Sequence, residues 1–222
     1  HAGWLETLLQ AAYPQHRLVL RDLGFSGDSL TERPRSDNFG SPDEWLTKVR
    51  ADVIIVCFGY NESWAGSAGL EKFRGELTSY VKQIQGQRYN GRGAPQVVLC
   101  SPTWFEDLHL AELPDGGEVN PNLELYTAET GRVAAELGLP FVNLFEATRE
   151  AASQAAWDGS VVRNLAGVPR DRFGRAAPES AAAKAASGEL TLNGVHLNDR
   201  GNRVAAEAIV RAAFGVNPGT LS

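Results

Sequence analysis

The sequence predicts a three-layer α/β/α sandwich built around a mostly parallel sheet. Three observations carry that expectation. Helix-like and strand-like segments alternate along the chain. Ala51 to Phe58 is a nearly continuous Val/Ile run, as expected of a parallel strand buried on both faces. The 222 residues suffice for one sizeable α/β domain and are too few for two comfortable ones. Strands separated by helices connect through right-handed crossovers, which places helices on both faces of the sheet.

Trp4, Leu5, Leu8, Leu9 and Ala12 make one apolar face at helical spacing, and Pro14 stops that helix. Arg17 to Leu23 reads as a first short strand ending at Gly24, and Ala51 to Phe58 as the second. Leu70, Phe73, Leu77, Val81 and Ile84 line one side of the next helix. The Asn90-Gly91 turn leads into a third strand, Gln96 to Cys100. A helix beginning near Pro121 runs to Gly138, a residue suited to a C-cap, and Phe141 to Leu144 is the fourth strand. The last helix runs from about Gly201 to Phe214, with Val204, Ala208, Ile209 and Ala212 inward. Residues 146–190 break the rhythm, Ala-rich at both ends with a Gly/Pro/Arg loop between Asp158 and Pro178, and read as an insertion with short helices. Trp4 and Trp45 fit helix packing.

Composition excludes several classes of function. The chain is 43% hydrophobic and 22% charged, the make-up of a globular protein. A net charge of −6, with basic residues scattered, argues against a nucleic-acid partner. The longest apolar run is far short of the roughly 20 residues that span a bilayer, so no transmembrane segment is expected. Cys57 and Cys100 each end an apolar run and read as buried free thiols, although neighbouring strands would permit a disulfide. No Cys/His spacing suggests zinc, and no Gly-x-Gly-x-x-Gly fingerprint or P-loop appears. No metal or cofactor is therefore expected, and a nucleotide-binding flavodoxin-like domain lacks its phosphate-cradling loop.

Ligands of parallel α/β sheets bind where loops leave the carboxyl ends of strands. Three motifs fall at such ends: Gly24-Phe25-Ser26-Gly27-Asp28-Ser29-Leu30, Phe58-Gly59-Tyr60-Asn61-Glu62, and Asn193-Gly194-Val195-His196 ahead of the last helix. Singly, each has a plain structural reading as a turn, a cap or a satisfied polar residue. Together and in this order they resemble the SGNH hydrolases, also called the GDSL family, over nearly the whole chain.

The resemblance implies the SGNH fold with its flavodoxin-like strand order, and hydrolysis of ester bonds by a Ser nucleophile and a His base. Gly27 and Asn61 then form the oxyanion hole, and His196 is the general base. The substrate implied is a small-molecule or carbohydrate ester, as for a carbohydrate deacetylase. The chemistry suits these types: a glycine N–H and an asparagine amide are donors for a developing oxyanion, and losing one costs about 3–4 kcal/mol in well-studied hydrolases.

Two departures from the family pattern bear on activity. Asn193 stands where the family has the Asp of Asp-x-x-His, a feature of a divergent bacterial branch with exported members. An amide can orient the imidazole but cannot balance its charge, and the comparable change in a serine-protease triad costs about 10⁴ in rate. A catalytically weak or inactive domain that binds a glycan or protein partner is therefore the alternative. Glu62 and Glu106 are carboxylates available to replace the missing acid. The second departure is the nucleophile. Gly27-Asp28-Ser29-Leu30 spells the family's nucleophile motif with Ser29 attacking, yet its place after the first helix matches the family's oxyanion-glycine block instead. By that alignment one domain spans residues 1–222, and the first strand with its serine falls ahead of His1. Trp64, Trp104 and Phe105 follow strand ends and line either a cleft or the core, while His1, His16 and His109 read as surface residues.

Overall fold

The computed structural model of the chain describes residues 3–33, 39–157 and 188–221. Three parallel strands form the sheet: β1 (Val53–Cys57), β2 (Gln96–Cys100) and β3 (Phe141–Val142), in the order β1-β2-β3. The register sets Val53 opposite Gln96 and Cys57 opposite Cys100, then Leu99 opposite Phe141. The helices are α1 (Trp4–Ala12), α2 (Pro42–Val49), α3 (Leu70–Gln85), α4 (Gly116–Leu137), α5 (Leu144–Trp157) and α6 (Asp199–Phe214).

Hydrophobic alternation sorts these elements into layers. Ile54, Val56, Val97 and Leu99 point to one face, where Phe73, Leu77, Val81 and Ile84 of α3 and Tyr126 and Val133 of α4 bury them. Val98, Cys100 and Val142 point to the other, against Leu144 and the Ala205 and Ile209 side of α6, with Leu5 of α1 behind. This is the three-layer sandwich that the alternating segments predict.

Several boundaries differ from the expectation, each for a local reason. Residues 17–23 join no ladder among the described residues, and β1 pairs only with β2. Leu18 and Leu20 are half-buried while Val19 is 62% exposed, so the alternation of a strand persists without its hydrogen bonds. Helix α4 begins at Gly116, not near Pro121, because Asp115 caps it by accepting from the Gly117 N–H. Phe141 to Leu144 yields only a two-residue strand, and Leu144 already opens α5. The buried face of α6 is Ala205, Ala206, Ile209 and Val210, one position round from the one expected, and Ala212 is exposed. Cys57 is exposed, contrary to the reading of two buried thiols, whereas Cys100 is buried. The start of the 146–190 segment is one continuous helix, α5; the Gly/Pro/Arg loop and His1 lie outside the described residues.

Helix α2 is short, with Trp45, Leu46 and Val49 as its inward side, and it carries a full capping box. Ser41 accepts from the Glu44 N–H, and the Glu44 carboxylate accepts from the Ser41 N–H, with Pro42 at the first helical position. No helix of the described residues is long and apolar enough to cross a membrane.

Candidate active site

The Phe58–Glu62 motif leaves the carboxyl end of β1, the Gly24–Leu30 turn is bonded to it, and Asn193–His196 lies just ahead of α6. The Gly24 to Leu30 segment forms a turn in which Asp28 N–H donates to Phe25 O, and Gly27 sits at φ +86°. A side chain at Gly27 would meet nothing within 4 Å, so the backbone conformation, not crowding, selects glycine there. Among the described residues the Gly27 N–H has no hydrogen-bond partner.

Two bonds fasten this turn to the loop after β1. Asn61 Nδ2 donates to Asp28 O at 2.8 Å, and Leu30 N–H donates to Glu62 Oε1 at 2.8 Å. The other Glu62 oxygen accepts from Gly59 N–H at 2.9 Å. Glu62 is thus a clamp that joins both loops, and its two oxygens are engaged by backbone. The Asn61 amide carries two hydrogens, so one remains for a ligand after the Asp28 bond.

Ser29 is tied into the same turn. Its Oγ accepts from Glu32 N–H at 3.0 Å, its N–H donates to Glu32 O, and Arg33 donates to its carbonyl. That hydroxyl closes the turn as an acceptor, and among the described residues no hydrogen bond joins it to an imidazole.

His196 stands on a short antiparallel pair made by Thr191 and Leu197, closed by Leu192 N–H to His196 O and Asn198 N–H to Leu190 O. Asn193 Oδ1 accepts from His196 N–H at 3.0 Å and lies 3.0 Å from His196 Nδ1. With the proton on Nδ1 this contact is a hydrogen bond, and Nε2 keeps its lone pair as a base requires. Asn198 then caps α6 by accepting from Gly201 N–H, so the His loop runs directly into a rigid helix.

The sequence gives little warning of what holds this loop. Glu106, only 7% exposed, accepts from Leu190 N–H, Thr191 N–H and the Thr191 hydroxyl at 2.7–3.0 Å. Its own N–H donates to Gly194 O. Gly194, at φ +86°, lies so close that an added Cβ would come within 2.6 Å of the Phe105 ring. Glu106 therefore clamps the loop backbone, and it does not replace the acid of the His pair.

The structure joins Gly27–Asp28 to Asn61, and Asn193 to His196, by direct hydrogen bonds. The two pairs share one packing base. Tyr60, beside Asn61, and Val195, beside His196, both pack on the cluster of Phe105, Val119, Leu123 and Phe145. Phe105 is core, whereas Trp64 is 59% exposed and meets Tyr60 edge-on. A cavity of about 380 Å³ lies between the loop after β2 and helices α4 and α5, lined by Trp104, Asp107, Asn120, Glu124, Phe145 and Arg149; Trp104 thus lines a cleft, while Gly27, Ser29, Asn61, Asn193 and His196 do not reach it. His109 is exposed, with its ring 3.1 Å from Asp107. Among the described residues no group of three His, Cys, Asp or Glu side chains could hold a metal ion.

The model of the GDSL-like lipase/acylhydrolase family matches residues 1–204. No curated protein matches the sequence. Among solved structures, the acetylxylan esterase Axe2 of Geobacillus stearothermophilus is similar at a TM-score of 0.60 and 17% identity, covering 97% of this chain and 80% of that one. A candidate GDSL-like lipase of Parabacteroides merdae superposes at a TM-score of 0.63 with 15% identity, over 95% of this chain and 80% of that one. At such identities the likeness bears on the fold alone.

Proposed function

The chain belongs to the GDSL-like lipase/acylhydrolase family, an ester hydrolase by class, and from that premise we propose that it deacylates small or carbohydrate esters with His196 as general base. The single observation carrying this reading is the 3.0 Å contact between His196 Nδ1 and Asn193 Oδ1, which favours the tautomer with a basic Nε2. In this reading Nε2 takes the proton of an attacking serine hydroxyl, and the developing oxyanion meets the Gly27 N–H and the free hydrogen of the Asn61 amide. Asn193 orients the ring without neutralising it, so turnover is slower than a carboxylate in its place would allow. The Ser29 hydroxyl accepts from the Glu32 N–H in its turn, and Ser29→Ala tests whether it also attacks.

A carbohydrate acyl ester is the preferred substrate class. Trp64 presents an exposed indole three residues beyond Asn61, a surface suited to the apolar face of a pyranose ring. The acetylxylan esterases of similar fold act on esters of that kind by name.

The test is hydrolysis of p-nitrophenyl acetate and of acetylated xylo-oligosaccharides by the wild type, His196→Ala and Asn61→Ala. His196→Ala is expected to lower kcat by about 10²–10⁴-fold. Asn61→Ala should lower it by about 10²–10³-fold with KM little changed. Turnover indifferent to His196→Ala rejects the base. No turnover by the wild type, with oligosaccharide binding retained, makes the domain a binding module instead.

A further inference from the structure

The only two cysteines of the chain are register partners: Cys57 ends β1 directly opposite Cys100, which ends β2. In a parallel ladder such partners project from the same face, on strands about 4.8 Å apart. That separation lies inside the roughly 4.4–6.8 Å Cα window of a disulfide. The two thiols differ in setting. Cys57 is exposed, and the neighbouring Cys100 thiol draws its own thiol below the usual value. Cys100 has no exposed surface among Val98, Val142 and Leu144, and the neighbouring Cys57 thiol, together with burial, pushes its thiol well up. An accessible thiol of lowered pKa beside a second, protected thiol is the arrangement of an attacking and a resolving cysteine.

We propose that Cys57 and Cys100 form a cross-strand dithiol, a modification site that peroxides oxidise to a reversible intramolecular disulfide. The Cys57 thiolate attacks one peroxide oxygen and breaks the O–O bond, giving a sulfenic acid and, after protonation, one water. The Cys100 sulfur then attacks the Cys57 sulfur, the S–S bond forms, and the sulfenic oxygen leaves as a second water carrying the Cys100 proton. Two thiols lose two electrons, and hydrogen peroxide gains them as two waters. A small dithiol reverses the step by exchange. The site is independent of the ester chemistry, although the bridge would form at the root of both the Tyr60–Asn61 loop and the Ser101 loop, where Ser101 Oγ holds the Phe145 N–H.

The experiment treats the 222-residue chain with hydrogen peroxide and follows intact mass, free thiols after denaturation, and mobility on non-reducing gels. The expected result is loss of both thiols together, a mass lower by about 2 Da, monomeric mobility, and recovery of both thiols with dithiothreitol. Cys57→Ser, a change at an exposed position, should slow thiol loss at least about tenfold. Oxygen addition at Cys57 with the Cys100 thiol intact would overturn the proposal. So would disulfide-linked dimers, or an unchanged oxidation rate in Cys57→Ser.

Discussion

Asn193 Oδ1 faces two backbone N–H groups and one imidazole nitrogen, a set that a carboxylate oxygen would satisfy equally well. Asn193→Asp is therefore nearly isosteric, and its effect isolates charge. A carboxylate there stabilises the imidazolium that forms when His196 takes the nucleophile's proton. The gain in kcat at the plateau should be on the order of 10²-fold or more, set against the roughly 10⁴ that the reverse exchange costs in a serine-protease triad. An unchanged kcat would show that His196 is not the base. At Ser29 the expectation is opposite in kind. Its hydroxyl accepts one backbone N–H at the turn, so Ser29→Ala should cost no more than about 1 kcal/mol of stability and leave turnover intact. Loss of turnover in a folded Ser29→Ala protein would return the nucleophile to the literal Gly27-Asp28-Ser29-Leu30 reading.

The loop bearing His196 is held as an element, and Glu106 is what holds it. Glu106→Ala leaves the Leu190 and Thr191 N–H groups without a buried acceptor, which should cost about 2–4 kcal/mol in urea denaturation. Glu106→Gln keeps one acceptor oxygen and should fall between the two. If alanine costs under about 0.5 kcal/mol, the clamp is not structural. The adjoining Asp107 ties the loop to α4: the His109 N–H and the Gly116 N–H hold its carboxyl below the usual range. A depressed folded-state pKa stabilises the fold above the ordinary Asp value near 3.8 and loses that effect as pH falls through the lower one. Wild type and Asp107→Asn should therefore differ in Tm at pH 5 to 7 and converge in the acid limb, about pH 2 to 3. A constant gap across that range removes Asp107 from the acid response. Much of this element-scale order was legible in advance. Strands β1 and β2 and helices α1 and α3 follow from Val/Ile runs and 3.6-residue spacing, because each buries its stripe locally. Asn61 and His196 were legible as motif residues. Glu62 and Glu106 were legible only as carboxylates, since their partners are backbone N–H groups far away in sequence, which no spacing rule encodes. The start of α4 was hidden because Gly116 and Gly117 read as a break, although Asp115 was a sufficient cap signal.

At the scale of the molecule the two faces of the sheet are unequally built. The face under α3 and α4 buries Ile54, Val56 and Leu99 with the fully enclosed Phe73, Leu77, Val81 and Tyr126. The opposite face is centred on β2 and β3, because α6 packs mainly on β3, α5 and α1, and β1 adds only Ile55 to that cluster. On that side β1 half-buries Ile55 but leaves Val53 40% exposed and Cys57 exposed, so a strand whose sequence reads as buried on both faces is fully buried on one and only partly on the other. The continuous Val/Ile run expresses the strand's burial capacity, and the packing of neighbours decides how much is used. The unladdered segment 17–23 belongs to the same side of the problem: Leu23 packs against the α3/α4 cluster, while Val19 faces solvent. Paired substitutions measure this asymmetry. Leu77→Ala removes an enclosed side chain and should cost about 2–5 kcal/mol in urea denaturation. Val53→Ala removes a partly exposed one at the open face and should stay within about 0.5 kcal/mol of wild type. A Val53→Ala cost approaching that of Leu77→Ala would mean that the outer face of β1 is covered in solution, and with it the approach to Cys57.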